Sequence, residues 1–305
     1  MTPDHVDGFE AVTLSAGELS AVFVPGAGMV GASLRHQAEE LLGQRAGVAA
    51  YAERGKTMGI PLLHPWANRL SGDDYPAGSD RVTLPAEAPG LRRDEHGLPI
   101  HGLLAGSPDW RIVDAKPTSV TASLDFAARP ERLKLFPFPH LLTVTVELEP
   151  GALRVSTRME ATGVVPVPIC FGWHPYLQLP NLPRAEWILE LPARRHLPTD
   201  DQGIPTRGSE PVPARRGPLG QDTYDDGYDQ LAVPEMVLRG GGRRLTVRLG
   251  PGYPVTQVFA PPGQDFVALE PMTAPTDALR SGWGLQTVAP GQTFDATFAI
   301  DVSKE

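Results

Sequence analysis

Cysteine is nearly absent from this chain: Cys170 is the single one in 305 residues. No internal disulfide can form, and a reducing compartment is the natural home, so a cytoplasmic location is expected. Long apolar runs are missing as well. No stretch of about 18 uninterrupted apolar residues exists, so no membrane partner is expected. The opening residues, MTPDHVDGFE, lack the basic segment and apolar run of a secretory signal. There is no excess of positive charge either. Lys and Arg number 27 against 36 Asp and Glu, for a net charge of −9. Nucleic acid is therefore an unsuitable partner, because neutralising phosphates needs a basic face. Patterns suited to long helices are scarce too, since 33 prolines are scattered through the chain beside 32 glycines.

What the chain does contain is alternation. Leu142, Val144, Val146 and Leu148 alternate with Thr143, Thr145 and Glu147, and Leu153, Val155, Thr157 and Met159 resume the pattern after a turn at Glu149-Pro150-Gly151-Ala152. Pro at the second position and Gly at the third suit a type II turn, so this is an antiparallel hairpin with one buried face. Residues 244–249 and 294–300 alternate likewise, and AVTLSAGELSAVFV reads as a hairpin turning at Ala16-Gly17-Glu18. The spacing predicts a short helix over 46–55, ended by Gly55. The Pro/Gly/Arg-rich stretch 199–220 reads as a long loop. Strands of one type continue beyond it, so residues 1–305 are expected to form one antiparallel all-β domain.

Several motifs carry less than they suggest. GAGMVG (26–31) matches G-x-G-x-x-G, but its antiparallel surroundings lack the βαβ unit of a dinucleotide site. DTYDDGYD (222–229) fails calcium-loop spacing and reads as a solvated turn or as a carboxylate aimed at a ligand. The histidines lack the i, i+4 spacing of a helical zinc pair, and no G-x-S-x-G elbow is present. Cys170, between Ile169 and Phe171, reads as core.

Four stretches remain. GIPLLHPWANRL places Asn68 and Arg69 after an apolar run. LPIHGLLAG places His101 before a glycine. FGWHPYLQLP holds His174, and FVALEPMTAPTDAL holds Glu270. His174 and Glu270 both precede proline, which favours extended backbone, so each projects from a strand end or extended loop. A carboxylate partly buried on the face of Phe266 and Ala268 has a raised pKa, and with a histidine it makes an acid–base pair suited to neutral pH. For either residue alone, a core histidine or a surface strand end is the plain alternative.

Together these stretches resemble the aldose 1-epimerase family, the galactose mutarotases. PLLHPWANRL is similar to its apolar-Pro-x-x-Asn-Arg segment, IHG to its histidine–glycine element, GWHPYL to its catalytic-histidine segment and LEPMTAPTDA to its catalytic-glutamate segment. YDDGYDQL resembles the stretch carrying a substrate-binding aspartate. The order is kept from about residue 10 to 300.

The resemblance implies a large antiparallel β-sandwich with few short helices and a sugar in an open groove. No cofactor and no catalytic metal are expected. It implies His174 as general acid and Glu270 as general base, with Arg69, His101 and Asn68 binding the sugar. Asp225 is the expected binding aspartate, with Asp226 as the alternative register. Trp173 offers a flat face to the sugar or, equally, a core ring. His64 departs from the family pattern and is a candidate for altering sugar preference. The partner is a small sugar, and the chain acts as a monomer or a dimer. A hexose-6-phosphate epimerase would share the pair but needs basic residues at the groove mouth, for which Arg92, Arg93, Arg194 and Arg195 are candidates. A glycosidase would use two carboxylates, and a non-catalytic sugar-binding sandwich need not keep both His174 and Glu270.

Overall fold

The computed structural model describes residues 4–305. Alternating strands dominate, and every strand ladder among the described residues is antiparallel. One sheet runs in the order Arg111–Lys116, Ser119–Asp125, His140–Glu149, Ala152–Ala161, Thr293–Lys304, Arg243–Leu249, Glu235–Gly240, Ile188–Leu191 and Arg215–Pro218. The hairpin read from the sequence forms its centre. Leu142 stands opposite Met159 and Glu149 opposite Ala152, with Gly151 at φ +89° in the turn. Leu142, Val144 and Val146 are fully buried while Glu147 is exposed, and each such apolar side chain contributes about 1.5–3 kcal/mol by leaving water.

The second sheet runs Glu210–Val212, Arg194–Leu197, Tyr224–Asp229, Val255–Ala260, Val267–Met272, Gly172–Trp173 and Leu62–Leu63. The short strand Tyr176–Leu177 also pairs with Val267–Met272. The two sheets face each other as a sandwich. Trp173 of the second sheet packs 5.9 Å from Phe298 of the first, and its indole N–H donates to Thr157 Oγ1 at 3.0 Å. One apolar cluster extends through this interior from Leu14 to Val302. An N-terminal sheet, Asp4–Val6, Phe9–Ala16, Leu19–Val24, Val30–His36 and Glu39–Glu40, lies beside it. The hairpin of Phe9–Ala16 and Leu19–Val24 pairs Ala16 with Leu19, as expected.

Helices are few and short: Gly47–Arg54, Pro130–Leu135 and Ala278–Ser281. The first lies where the sequence placed it and ends at Gly55, left-handed at φ +65°. No helix among the described residues is long and apolar enough to cross a membrane.

Two expectations need correction. Residues 199–220 are not all loop. Glu210–Val212 closes the edge of the second sheet and Arg215–Pro218 the edge of the first. Pro211 and Pro218 are tolerated because edge strands spare some N–H groups from pairing. Residues 224–229 are a strand rather than a turn. Their charges had hidden an alternation in which only one face meets the interior. GAGMVG opens a turn of 3-10 helix, Pro25–Ala27, and no α-helix follows it.

Candidate active site

The second sheet sets the site by register. Gly172 pairs with Met272, and Tyr176 pairs with Ala268. The residues midway between them, His174 and Glu270, therefore stand opposite one another, and opposite residues of an antiparallel pair share a face. Pro175 and Pro271 interrupt the ladder beside them, where the strand can bend away. Gln257 pairs with Glu270 and Gly227 with Gln257, so Gln257 and Gly227 lie on that face too. Asp225, two residues before Gly227, joins them by alternation. One row of residues across four strand segments thus brings His174, Glu270, Gln257 and Asp225 together.

The distances agree. His174 Nε2 lies 3.2 Å from Glu270 Oε1, with the two side chains only 5% and 1% exposed. Burial raises the Glu270 carboxyl well above its usual range, and nearby Asp225 pushes it further while Arg69 opposes. Burial lowers the His174 imidazole well below its usual value, with His101 and Arg45 adding to the effect. Both shifts favour a neutral pair.

Arg69 and His101 arrive from loops that meet at Asn68. The His101 N–H donates to the Asn68 carbonyl at 2.9 Å. Asn68 and His101 both have left-handed backbone, at φ +52° and +62°. Gly102 must follow at φ +71°, because a Cβ there would sit 2.2 Å from the His64 carbonyl oxygen. The His101 ring stands edge-on to His174 with centroids 5.8 Å apart. Burial first, then Arg69, pushes its pKa down to about 3, so His101 is a neutral imidazole at neutral pH.

Arg69 is held by three carboxylates. Nε donates to Asp94 Oδ2 at 2.8 Å, while Glu95 and Asp225 each lie 3.5 Å from its terminal nitrogens. Asp94 is itself fixed, since its Oδ1 accepts the N–H groups of His96 and Leu98. Asp225 Oδ1 accepts from Gln257 Nε2 at 2.8 Å. Asp226 points to the other face and meets His196 at 3.0 Å. Of the aspartate doublet, Asp225 is the one beside Arg69. The Asn68 side chain lines a recess with Gly203, Gly227 and Gln257.

Trp173 is not brought to this group. One residue from His174, it faces the opposite way and is wholly buried between the sheets. His64 is also inside. Its Nε2 lies 2.8 Å from His140 Nε2, and His140 Nδ1 lies 2.6 Å from the Phe138 carbonyl. The carbonyl only accepts, so His140 carries its proton on Nδ1 and His64 donates from Nε2. His64 lies buried among Phe126 and Phe171 in the core.

The four arginines considered for a phosphate are occupied with other backbone and side-chain groups. Arg93 binds Asp73 and the carbonyls of Pro85, Ala86 and Gly97. Arg194 donates to the Pro192 and Pro213 carbonyls, Arg195 to Ser209, and Arg92 to its neighbour's carbonyl. They do not converge. Sequence reasoning missed Asp94, Gln257, Tyr176, Thr57 and Arg45. Gln257 was legible in principle, through the alternation of VTQVFA beside the Glu270 strand.

Three buried polar atoms in this group have no hydrogen-bond partner: His101 Nδ1, His174 Nδ1 and Glu270 Oε2. Buried polar atoms are nearly always paired, so a polar ligand or water has partners to supply here. Among the described residues, no group of three or more His, Cys, Asp or Glu is placed to hold a metal ion. A surface concavity of about 840 Å³ lies elsewhere, between the strands Phe9–Ala16 and Arg111–Lys116, and contains none of these residues.

The fold is an antiparallel β-sandwich with a buried histidine–carboxylate pair on one sheet face. Solved structures share this architecture. A galactose mutarotase-like protein from Clostridium acetobutylicum superposes with a TM-score of 0.82 at 14% identity, covering 97% of this chain and 96% of that one. Galactose 1-epimerase from Lactobacillus acidophilus gives 0.75 at 15% identity, covering 99% and 97%. The uncharacterized protein YihR of Escherichia coli (strain K12) is 26% identical over 327 residues, covering 98% of this chain and 95% of that protein. The family model for aldose 1-epimerase matches residues 10–301. The chain belongs to the aldose 1-epimerase family.

Proposed function

We propose that this protein, acting as one domain without a cofactor, interconverts the α and β anomers of an aldose. The observation that carries the reading is the buried His174–Glu270 pair at 3.2 Å, beside three unpartnered polar atoms. Ring opening takes one proton from the C1 hydroxyl and gives one to the ring oxygen as the C1–O5 bond breaks. The open aldehyde turns about C1–C2 and recloses with the proton transfers reversed. Each step needs one group that gives a proton and one that takes it, and a histidine beside a carboxylate can supply both.

Glu270 takes the C1 hydroxyl proton and His174 protonates the ring oxygen. Both pKa shifts favour the neutral pair, so these roles require the bound sugar to draw the proton from carboxyl to imidazole against them. Arg69 and neutral His101 donate to the sugar oxygens, where they steady developing negative charge. Asp225 and Asn68 accept from or position the hydroxyls. A histidine–carboxylate pair is also less suited to glycosidic cleavage than two carboxylates.

Polarimetry of freshly dissolved α-glucose and α-galactose tests the reading. The protein should speed the drift to equilibrium, and dialysis against a chelator should leave the rate unchanged. An unaltered drift with both sugars, and with other aldoses, would leave a sugar-binding role in its place. The 6-phosphates should react more slowly than the parent sugars, because Arg92, Arg93, Arg194 and Arg195 are engaged elsewhere.

A further inference from the structure

The His174 imidazole has an unusual support. A histidine that moves protons commonly has its other nitrogen fixed by a carboxylate or carbonyl, yet Nδ1 here has no partner. Its orientation must come from packing and from Nε2, which lies 3.2 Å from Glu270 Oε1 and 3.4 Å from the Tyr176 hydroxyl. The Tyr176 ring lies parallel to it, with centroids 4.3 Å apart and planes inclined by 13°. Phe259 stands edge-on to the imidazole at 5.8 Å. Tyr176 is in turn fastened at its far end. Its hydroxyl lies 2.6 Å from Thr57 Oγ1 and accepts from Arg45 Nη1 at 3.1 Å. The Arg45 guanidinium covers both Tyr176 and Phe266, 5.1 and 5.4 Å from their ring centroids.

We propose that Tyr176, anchored through its hydroxyl by Thr57 and Arg45, is the positioning residue that holds the His174 imidazole in line with Glu270. The inference rests on the proposed acid–base role of His174. The register explains the stack, because residues 174 and 176 share a face of the sheet. The anchor explains why the stack is rigid: a phenol tied at its hydroxyl cannot slide along the imidazole. A leucine would fill space there without fixing the ring's tilt. The groups facing His174 are Glu270, His101, Tyr176 and, beyond Tyr176, Arg45, while Arg69 and Asp225 lie behind Glu270. Arg45 is the cation on the Tyr176 side, and it disfavours imidazolium.

Three variants test this. Tyr176→Phe keeps the stack and loses the anchor together with the 3.4 Å contact of the hydroxyl to His174 Nε2, whereas Tyr176→Leu loses all three. Misplacing a reacting group by about 1 Å can cost on the order of 10²-fold. Tyr176→Leu should therefore lose about that much in kcat, and Tyr176→Phe about 10-fold, with KM changed by less than about threefold in both. Arg45→Gln should move the His174 titration, followed by imidazole NMR and identified by its loss in His174→Asn, to higher pH. The NMR reading needs no turnover. If His174→Asn retains full activity, the acid role fails, whereas the brace still predicts altered His174 ring signals in Tyr176→Leu. Folded Tyr176→Leu protein with wild-type kcat and unchanged His174 signals would overturn the proposal, as would an unmoved titration in Arg45→Gln. A loss confined to melting temperature would also overturn it.

Discussion

Two histidine–proline dipeptides, LHPW at 63–66 and WHPY at 173–176, look alike in the sequence and do opposite things in the fold. Both histidines are buried, and burial lowers the pKa of each. His64 ends a chain of neutral hydrogen bonds that runs through His140 to a backbone carbonyl, inside a sheath of phenylalanine. His174 faces a carboxylate, a second histidine and, beyond them, an arginine ringed by acids. Burial alone therefore does not separate a working histidine from a structural one. The partner does. In the proposed reading, a group that can take a proton and stands at hydrogen-bond distance makes a desolvated imidazole half of an acid–base pair. A second imidazole already tied to a carbonyl only completes a core.

The sharpest way to break the comparison is to remove proton exchange from one pair and not the other. Glu270→Gln keeps the shape but cannot accept a proton, and His174→Asn removes the imidazole. Positioned acid–base groups contribute about 10²–10⁴-fold each, so each variant should lose activity in that range while melting near the wild type. His64→Leu should do the reverse. It leaves a His140 lone pair buried without a donor, at about 1–3 kcal/mol in stability, with turnover within about twofold of wild type. Steady-state mutarotation and thermal melts on the same preparations decide the matter, and a catalytic loss in His64→Leu would erase the distinction.

The pH dependence of the two pairs should also differ. At the site, activity needs one proton in the pair. As pH falls through the lowered imidazole value, a second proton arrives and the base is lost. As pH rises through the raised carboxyl value, the last proton leaves and the acid is lost. The rate should stay level across neutrality between two limbs that belong to the pair. Asp225→Asn removes a negative neighbour that raises Glu270, so the alkaline limb should move to lower pH. In the core, His140 is pushed down to about 4 by burial, against an unfolded value of about 6.5. The unfolded chain then binds more protons below that value. This share of stability is complete above it and drains as pH falls toward the folded value. The melting temperature should drop between pH 7 and 5, and by less in a His64→Leu/His140→Phe double variant.

Much of this was legible in advance, for a physical reason. Period-two alternation around Leu142–Met159 and near Phe294 is enforced by burial of one sheet face, so it survives in the sequence. The left-handed Gly102 and the pre-proline His174 and Glu270 are local constraints as well. What stayed hidden depends on which strands meet. Gln257 joins the site only because its strand pairs with that of Glu270. Arg45 joins through Tyr176, 131 residues away. Residues 210–218 escaped because edge strands, rich here in Pro and Arg, carry no buried face to impose alternation. Asp225 and Asp226 could not be told apart until the strand fixed which of them faces Arg69.

The smallest effect concerns Trp173, which touches His174 in sequence and leaves it in space. Alternation sends its indole into the sandwich, onto Phe298 and Thr157, while His174 turns to the groove. Trp173→Phe keeps an aromatic ring in the interior and removes the N–H that Thr157 accepts. The lost hydrogen bond should cost about 1 kcal/mol, with a further loss from the smaller ring. Neither change reaches the groove face, so kcat and KM should stay within about twofold of wild type. A denaturant titration alongside mutarotation rates measures both. If KM for the sugar rose tenfold while stability barely moved, Trp173 would have to contact substrate, and the two faces of this strand would not be as separate as the register requires.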